Sequence, residues 1–541
     1  MLSALVGVAT GLVVALIDTI IVDWTWGPLS RRGDWWIALL PLAAVGVSSL
    51  ILQMNRERST ETTEEYLRVF HDPEGRVRLA SVPFRLAASI ATIGLGGSMG
   101  LEGPSIYAGS AIGDAVERRF ARRLSDRDRK VLLTAGAAAG IAAIFKAPLT
   151  GIVFALEVPY RDDLARRALV PAMVAAASSY VVFASLIGTR PLFPISAAPL
   201  RLADLGGAVV VGIGCGIGAR IFVALHRALG AAARRVPYAL RPLAGGAIVA
   251  AMGGISIALF SRPFALGPGY EPILRAARGS IGPGLVMALL AIKMLATSAT
   301  AAGNGVGGLF FPSVMMGAAL GGALGHVVPG PASLFAVVGI AAFLGGAYKV
   351  PLAGVAFVAE TTGAPGYVIP GLIAAAIAYL ASGDTSLSHR QRARRVIDVG
   401  SRLDMHVSDA MSREWIEVPP DATLHELATR YAIAARSRTM VVATDGRYVG
   451  MVTLGSLGDV PQEAWPTTPV REILTREHPT LRAPQHLNDA LAAMRGAGVE
   501  RAAVLDGETI SGVLSTGDVI RIENVLQEID QEAREAGDDA G

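Results

Sequence analysis

A single carboxylate, Glu102, lies inside a glycine-rich segment, Gly97-Ser-Met-Gly-Leu-Glu-Gly-Pro104, that is followed by an apolar run. Proline is favoured in the first turn of a helix, so the segment predicts a helix that begins close to Glu102. The free N–H groups and the dipole of a helix N-terminus together form a site for anions. An ionised Glu102 would compete for that site and a protonated one would leave it. The alternative is a structural carboxylate that only the helix dipole satisfies.

The same kind of segment occurs a second time in the chain. Gly100–Ile106 is echoed by Gly308–Val314, and Phe145–Glu157 is echoed by Tyr348–Glu360. Two motifs that recur in the same order, at offsets of 208 and 203 residues, indicate a duplicated unit. Duplicated transporters usually place the substrate site where broken helices of the two halves meet. We therefore expect the two glycine-rich helix starts to face one small anion and to hold it without a full positive charge.

The elements around these segments are those of a membrane protein. Of the 541 residues, 52% are hydrophobic and only 17% are charged, against about a quarter charged in soluble proteins. The apolar residues are confined to about 1–382, and an ordinary charged sequence follows from Asp384. The run 2–17 follows no basic segment and is interrupted at Asp18, which favours a retained helix over a cleaved signal peptide.

The apolar stretches differ in length. A spanning helix needs about 20 apolar residues, so stretches that are short or interrupted by glycine and proline predict broken or re-entrant helices. Such backbone is tolerated only where protein buries it or a polar cavity adjoins it, which favours a channel or transporter over a simple membrane anchor. The long stretches are 1–22, 37–53, 83–99, 167–187, 203–229, 241–260, 284–302, 332–347 and 366–382, and the short ones are 104–116, 131–145, 149–158, 309–327 and 351–361.

Three segments carry a resemblance to one family. Gly97–Pro104, Gly308–Pro312 and Thr134–Glu157 resemble motifs of the CLC family of chloride channels and chloride/proton exchangers, and the likeness extends over about 50–391. It implies a polytopic all-α membrane domain, a duplicated inverted repeat with broken and re-entrant helices. It also implies a homodimer with one pathway per subunit for chloride or a similar small anion, with protons as a further partner and no required cofactor or metal. Glu102 takes the place of the gate, and the residues placed at the anion are Gly100, Leu101, Gly103, Gly308, Leu309, Phe310, Ser388 and Thr62.

The chain departs from the family pattern where hydroxyl groups usually contact the anion. A loop that often supplies a serine reads Ser59–Glu65 here, so Thr60 or Thr62 would replace it, and an inward Glu61 would repel anions. The segment that usually supplies a tyrosine has Ser388 instead, which is shorter and would widen the inner vestibule. Chloride, nitrate and fluoride therefore stay open as substrates.

Two further departures concern charge. The residue before the gate is usually basic, whereas it is Leu101 here. In many exchangers an acidic residue that relays protons follows the position of Glu157, but this chain has Val158. We therefore expect a channel-like or weakly coupled mode, with a proton-coupled antiporter as the alternative. Glu157 itself is interpreted as structural, because its repeat equivalent Glu360 occupies the same place.

A soluble part follows the membrane domain. The basic cluster Arg390–Arg395 predicts that this part is cytoplasmic and that the protein lies in the cell membrane. Short strands, Asp-Gly turns and an amphipathic helix at 486–496 form two similar units, which resemble a tandem CBS pair of α+β class. In such domains a hydroxyl followed three residues later by Asp binds an adenine nucleotide, and the alternative is a purely structural role. The second unit fits this spacing with Ser515, Thr516 and Asp518, whereas the first lacks the aspartate.

The sequence thus predicts an anion-transport domain at 1–389, a basic linker at 390–404, CBS-like units at 405–463 and 464–525, and a polar tail at 526–541. The remote alternative is a CBS-containing cation transporter, which would need several intramembrane carboxylates around a hard cation. An enzyme is disfavoured, since we find no nucleophile–base pair, phosphate loop or metal cluster. The net charge of +3 gives no reason to expect a nucleic-acid partner, and the single cysteine, Cys215, is expected to be buried.

Overall fold

A computed structural model describes residues 1–55, 58–72, 75–120, 129–195, 200–393, 405–435, 439–475, 478–519 and 521–522. The chain divides into two compact units, Met1–Arg394 and Arg395–Gly541. The first is helical and the second contains a six-stranded sheet with short helices. The predicted tail at 526–541, and the predicted linker beyond residue 393, lie outside the described residues.

The first unit has the length and composition of a multi-span membrane domain, as predicted. Within the described residues, six helical segments are long and apolar enough to cross a bilayer. They are Leu2–Ser30, Trp35–Met54, Arg166–Ile187, Leu202–Arg234, Tyr238–Phe260 and Pro283–Ala302.

The unit also contains shorter helices, and several of them are too short to span a bilayer. The α-helices are α1 (Leu2–Asp18), α2 (Trp26–Ser30), α3 (Leu40–Met54), α4 (Thr63–His71), α5 (Val82–Gly94), α6 (Glu102–Phe120), α7 (Arg129–Phe145), α8 (Pro148–Glu157), α9 (Leu169–Ile187), α10 (Leu202–Arg234), α11 (Arg241–Phe260), α12 (Tyr270–Ala277), α13 (Pro283–Ala302), α14 (Phe310–Leu324), α15 (Ala332–Ala347), α16 (Pro351–Thr362) and α17 (Val368–Ala381).

One long apolar stretch differs from its prediction. The run 83–99 is not a single helix, because α5 ends at Gly94 and the backbone turns at Gly96, where φ is +87°. Glycine adopts this conformation without the Cβ clash that other residues suffer. After this turn, the residues that follow Gly96 form the loop before Glu102.

The duplication predicted from the sequence is visible in the backbone. α6–α8 and α14–α16 follow one plan, in which a helix that begins at a glycine-rich motif packs against the next helix. A Cβ atom at Gly109 would lie 2.0 Å from the carbonyl oxygen of Gly136, and the equivalent contact of Gly317 with Gly339 is 2.4 Å. Small residues let membrane helices approach this closely. A lysine with positive φ then precedes each short helix, Lys146 (53°) before α8 and Lys349 (59°) before α16.

The two short helices are joined by a reciprocal pair of carboxylates. Glu157, at the end of α8, accepts hydrogen bonds from the N–H groups of Leu352 (3.1 Å) and Ala353 (2.9 Å) at the start of α16. Glu360 accepts from Leu149 (2.9 Å) and Thr150 (2.7 Å) at the start of α8. Each repeat therefore caps a helix of the other, which agrees with a structural role for Glu157.

These caps predict a loss of stability on truncation. Glu157→Ala or Glu360→Ala leaves two helix-terminal N–H groups without their charged acceptor, and we expect each to cost about 2–3 kcal/mol. Glu157→Gln, which keeps one acceptor oxygen, is expected to cost less. The measurement is the thermal unfolding midpoint of the detergent-solubilised protein, with Glu271→Ala at an exposed ion pair as the control. If the two alanine variants had the same unfolding midpoint as Glu271→Ala, the interpretation of Glu157 and Glu360 as stabilising caps would be wrong.

The second unit confirms the predicted α+β repeat. Its strands are β1 (Glu417–Val418), β2 (Thr439–Thr444), β3 (Arg447–Thr453), β4 (Leu481–Arg482), β5 (Arg501–Asp506) and β6 (Thr509–Ser515), and its helices include α18 (Val407–Ala410), α19 (Leu424–Glu426), α20 (Ala432–Ala435) and α21 (Leu487–Gly496). The strand order is β1-β2-β3-β6-β5-β4. Each half pairs a short parallel strand with a hairpin that turns at an Asp-Gly dipeptide, so the halves are copies of one another.

Candidate functional site

The two glycine-rich motifs meet directly at the interface of the repeats. The N–H of Gly100 donates to the carbonyl oxygen of Gly308 (2.9 Å), and the N–H of Gly308 donates to that of Gly100 (2.8 Å). The two segments are antiparallel at this point. An antiparallel pair of equivalent residues is what a twofold axis in the membrane plane produces, so this contact marks the centre of an inverted repeat.

Glu102 begins α6, and its side chain reaches across this interface to the other repeat. Its Oε1 accepts a hydrogen bond from the N–H of Phe311 at 3.1 Å, and the carboxylate also lies next to the N–H of Phe310. The residue is 1% exposed, and its Oε2 is buried without a hydrogen bond in the part of the chain that the structure describes. A carboxyl group therefore occupies the N-terminus of α14, where an anion would bind.

The glycines predicted at the site provide the space for this carboxylate. A Cβ atom at Gly100 would lie 2.0 Å from Oε2 of Glu102, and one at Gly308 would lie 2.0 Å from Oε1. A Cβ atom at Gly103 would lie 2.9 Å from the Cα of Gly308. Side chains at these three positions would fill the space that the carboxylate, or an anion in its place, occupies.

The structure brings one of the two predicted hydroxyl groups, that of Thr62, to the glycine-rich motifs. Thr62 donates to the carbonyl oxygen of Gly307 at 3.2 Å, and its hydroxyl oxygen lies 2.5 Å from the Cβ position of Gly103. Its hydrogen would have to rotate away from that carbonyl to contact an anion. Ser388 is buried, and among the described residues its hydroxyl has no hydrogen-bond partner. Because buried polar groups are normally paired, this hydroxyl is available to a ligand.

A third hydroxyl, that of Tyr348, was not predicted. Tyr348 is buried between α15 and α16, and its phenol lies at the N–H of Leu309. Its ring centroid is 6.0 Å from that of Phe310 and 6.3 Å from that of Phe154. The family pattern has a tyrosine at the position of Ser388, whereas this structure supplies one from another loop. The available signal was the repeat itself, since Tyr348 stands where the first repeat has Phe145.

A buried cation, Lys293 of α13, was also missed. Its ammonium group donates to the carbonyl oxygens of Gly267 (2.6 Å) and Ala265 (3.3 Å), and its charge acts on Glu102. Charged groups are costly inside a membrane and mark functional regions by default. The apolar sequence around Lys293 gave no sign of its contact with these carbonyl groups.

Four charged residues form a cluster at the ends of α4 and of the membrane unit. Arg390 pairs with Glu61 at 3.1 Å, so this carboxylate is neutralised and does not face the anion site as an unpaired charge. Glu64 instead accepts a hydrogen bond from the backbone N–H of Arg390 at 3.2 Å, and His389 lies 3.2 Å from the same carboxylate. The carboxylate beside Ser388 is therefore that of Glu64.

Comparison with known proteins agrees with this geometry. The family described as "Voltage gated chloride channel" matches residues 37–383, and CBS domains match residues 407–458 and 470–524. The chain belongs to the CLC family. Among its curated relatives, the "Chloride/fluoride channel protein" of Pseudomonas syringae pv. tomato is 30% identical over 370 residues, 66% of this chain and 78% of that one. The "Putative chloride channel protein ClcB-like" of Ralstonia nicotianae is 30% identical over 386 residues, 68% of this chain and 87% of that one.

Solved CLC structures share the fold. A CLC-type fluoride/proton antiporter matches 73% of this chain and 97% of its own, with a TM-score of 0.64 and 23% identity. A slow cyanobacterial Cl⁻/H⁺ antiporter matches 70% of this chain and 93% of its own, with a TM-score of 0.61 and 20% identity. The CLC fold of the membrane unit, with its broken helices, is thereby confirmed.

The residues predicted to bind an adenine nucleotide lie at and just after the end of β6. Ser515 donates its hydroxyl hydrogen to Asp518 (2.5 Å), and its oxygen accepts from the N–H of Asp518 (3.2 Å). Thr516 donates to the carbonyl oxygen of Glu500 at 3.2 Å. The serine and the aspartate therefore cap the helix that follows, in the manner of a capping box. Nucleotide binding at these residues stays a prediction.

Proposed function

We propose that the protein transports small anions, chloride foremost, through a pathway whose gate is Glu102. The observation that carries this proposal is the hydrogen bond from the N–H of Phe311 to the Glu102 carboxylate. A carboxylate is itself an anion, and here it occupies the helix N-terminus of the opposite repeat. Protonation would weaken this contact, because hydrogen bonds to a charged acceptor are roughly twice as strong as those to a neutral one. The site would then be free for the transported ion.

The ligands of that ion are neutral dipoles. The N–H groups of Leu309 and Phe310, at the N-terminus of α14, supply partial positive charge, and the hydroxyl of Tyr348 lies at the N–H of Leu309. Ser388 would add a second hydroxyl. Thr62 would join them after rotation of its hydroxyl. Groups of this kind bind an ion well enough for it to enter and weakly enough for it to leave, which transport requires.

The mode of transport has two candidates. Val158 is fully buried and cannot carry a proton, which favours a channel-like or weakly coupled pathway at that position. The specific observation that favours the second candidate, a proton-coupled antiporter, is the titratable carboxyl of Glu64 beside Ser388.

An efflux assay tests the proposed function. Purified protein in liposomes loaded with chloride, nitrate or fluoride should release the anion faster than protein-free liposomes, and should not release potassium. Fluoride is included because one relative bears the name of a chloride/fluoride channel protein. Release of a cation with no anion release would instead support the cation-transporter alternative.

The arrangement in the cell follows from the family resemblance and from charge. We propose a homodimer in the cell membrane with a pathway in each subunit. The basic segment that begins at Arg390 supports a cytoplasmic position for the CBS units, where they would regulate transport. Light scattering of the detergent-solubilised protein measures the number of subunits, and protease access to sealed vesicles reports the side on which the CBS units lie.

Nucleotide regulation gives a separate prediction. We expect the full-length protein to bind AMP, ADP or ATP at the second CBS unit, and Asp518→Ala to abolish this binding. The same change removes a helix cap and should lower stability by about 1 kcal/mol, so folding must be checked by thermal unfolding. The measurement is calorimetric titration, with Ser456→Ala in the first unit as the control. If the wild type and Asp518→Ala gave equal heats of nucleotide binding, we would assign the second unit a structural role only.

A further inference from the structure

A buried glutamine, Gln391, lies at the end of the segment that carries Ser388. It is 8% exposed, and its side-chain amide makes three hydrogen bonds. Nε2 donates to the carbonyl oxygens of Tyr160 and Tyr348, both at 3.2 Å, and Oε1 accepts from the hydroxyl group of Ser386 at 3.0 Å. The glutamine therefore links the segment of Ser388 to the loop of Tyr348.

The chemistry of the groups determines the direction of these hydrogen bonds. A carbonyl oxygen can only accept, so the two backbone carbonyl groups require the NH₂ group of Gln391 on their side. Oε1 then faces Ser386, whose hydroxyl group must donate to it. The oxygen of the same hydroxyl group accepts the backbone N–H of Ser388 at 3.2 Å. One chain of donors and acceptors thus joins the backbone of Ser388 to that of Tyr348.

Backbone hydrogen bonds hold the same two segments side by side. The N–H of Leu387 donates to the carbonyl oxygen of Ala347 at 2.8 Å. The N–H of Gln391 donates to the carbonyl oxygen of Ser388 at 3.3 Å and closes the turn between them. Ser388 and Tyr348 each directly follow a residue of the first hydrogen bond, so their backbones are neighbours.

The two residues that this chain connects are those proposed to offer hydroxyl groups to the anion. The phenol of Tyr348 lies at the N–H of Leu309, at the start of α14. The hydroxyl group of Ser388 is buried and has no hydrogen-bond partner in the described ranges of the chain. A buried polar network whose members are satisfied makes the backbone around it rigid. Gln391 therefore restrains the backbone that carries both hydroxyl groups.

We infer that Gln391 is a positioning residue of the anion site, which fixes the spacing of the Ser388 and Tyr348 hydroxyl groups and thereby the preference for one small anion over another. The inference rests on the proposed function. Chloride, nitrate and fluoride differ in size and shape, so two donors at a fixed spacing bind one of them better than the others. Without this restraint the donors would adjust to each ion, and the site would discriminate less.

Gln391→Met tests this role, because methionine has a similar length and only a weak acceptor in place of the amide. Liposomes that contain the full-length protein are loaded with chloride, nitrate or fluoride, and the ratios of the initial efflux rates measure selectivity. We expect the ratio of the fastest to the slowest anion to fall by about two- to tenfold, the effect of weakening one hydrogen bond. Gln53→Met, at an exposed glutamine of α3, is the matched control and should keep the wild-type ratios.

A second background separates positioning from a purely structural role. In Ser388→Ala one of the two hydroxyl groups is absent, so Gln391→Met has less to displace. The change in the efflux ratios that Gln391→Met causes should therefore be smaller in this background than in the wild type. Equal changes in the two backgrounds would mean that the glutamine does not act through Ser388, and the inference would be overturned.

Ser386→Ala is a milder variant that keeps the test decisive if Gln391→Met does not fold. It removes the hydroxyl group between Gln391 and Ser388 but leaves the hydrogen bonds of the amide to both carbonyl groups. It should shift the efflux ratios in the same direction by a smaller factor, with a thermal unfolding midpoint close to that of the wild type.

Two results would overturn the inference and leave the proposed function standing. One is wild-type efflux ratios in whichever of Gln391→Met and Ser386→Ala folds, and the other is a wild type that transports the three anions equally well. An absence of wild-type anion efflux would instead refute the proposed function itself.

Discussion

Anion efflux through Glu102→Gln should be fast at every pH, whereas wild-type efflux should rise as the pH falls. Under the proposed function, the ionised carboxylate accepts the N–H of Phe311 and excludes the transported ion. Protonation removes the charge, so flux should grow by up to about tenfold per pH unit while a single group titrates. The glutamine side chain cannot ionise, and its neutral oxygen competes weakly for the same N–H groups. Glu102→Ala has no competing group at all and should behave in the same way.

The measurement is the initial rate of chloride efflux from proteoliposomes between acidic and alkaline pH. Glu271→Gln serves as the control, because it neutralises a carboxylate that forms an exposed ion pair with Arg275. It should keep the wild-type pH profile. A wild-type pH profile in both Glu102 variants would remove Glu102 from the gate and leave it with the structural role of a helix-start carboxylate.

The repeats, and the place of Glu102 at a helix start, were accessible from sequence because they depend on local backbone chemistry. A proline in the first turn and glycines before it specify where α6 begins, and the echoed segment at Gly308 does the same for α14. The antiparallel contact of Gly100 with Gly308 then follows from the duplication. Predicting these features requires only the residues next to each motif and the relation between the two repeats.

The hydroxyl and carboxyl groups around the anion site could not be predicted in the same way. Tyr348 reaches the site from a loop between α15 and α16, so its role depends on how two repeats pack. Glu61 and Glu64 are three residues apart, and only the start of α4 at Thr63 decides which of them faces Ser388. The sequence raised Glu61 as a carboxylate that would repel the anion, but the structure pairs this residue with Arg390 and puts Glu64 beside the serine.

The tyrosine shows how a departure from a family pattern can be compensated elsewhere in the fold. Ser388 leaves space where a longer side chain is usual, and the phenol of Tyr348 enters the region from another element. The hydroxyl at the Leu309 N–H is thus supplied by a residue that motif alignment would not select. We propose that selectivity among chloride, nitrate and fluoride depends on this phenol together with Ser388 and Thr62.

Two glycine substitutions at the repeat interface should have opposite effects on transport. The three atoms nearest to a Cβ atom at Gly100 all belong to the carboxyl group of Glu102, with Oε2 at 2.0 Å. The end of a flexible side chain can move, so Gly100→Ala should fold normally and displace the gate. We expect fast anion efflux with a reduced pH dependence, although Glu102 itself is unchanged.

Gly308→Ala meets the same carboxylate at 2.0 Å but also the backbone nitrogen of Gly103 at 2.6 Å. Rotation of a side chain cannot relieve that second contact, so the starts of α6 and α14 must separate. Overpacking of this kind costs about 1–3 kcal/mol, and the separation removes the N–H groups from the ion. We expect anion efflux to be lost and the thermal unfolding midpoint to fall.

Gly46→Ala in α3 is the matched control for both, because no atom lies within 4 Å of its Cβ position. It should keep wild-type efflux and be slightly more stable, since alanine is favoured over glycine inside a helix. If Gly100→Ala kept the wild-type rate and pH profile, the Glu102 carboxylate would have to rest elsewhere than at the start of α14. If Gly308→Ala transported normally, the anion path would not pass between the two glycine-rich motifs.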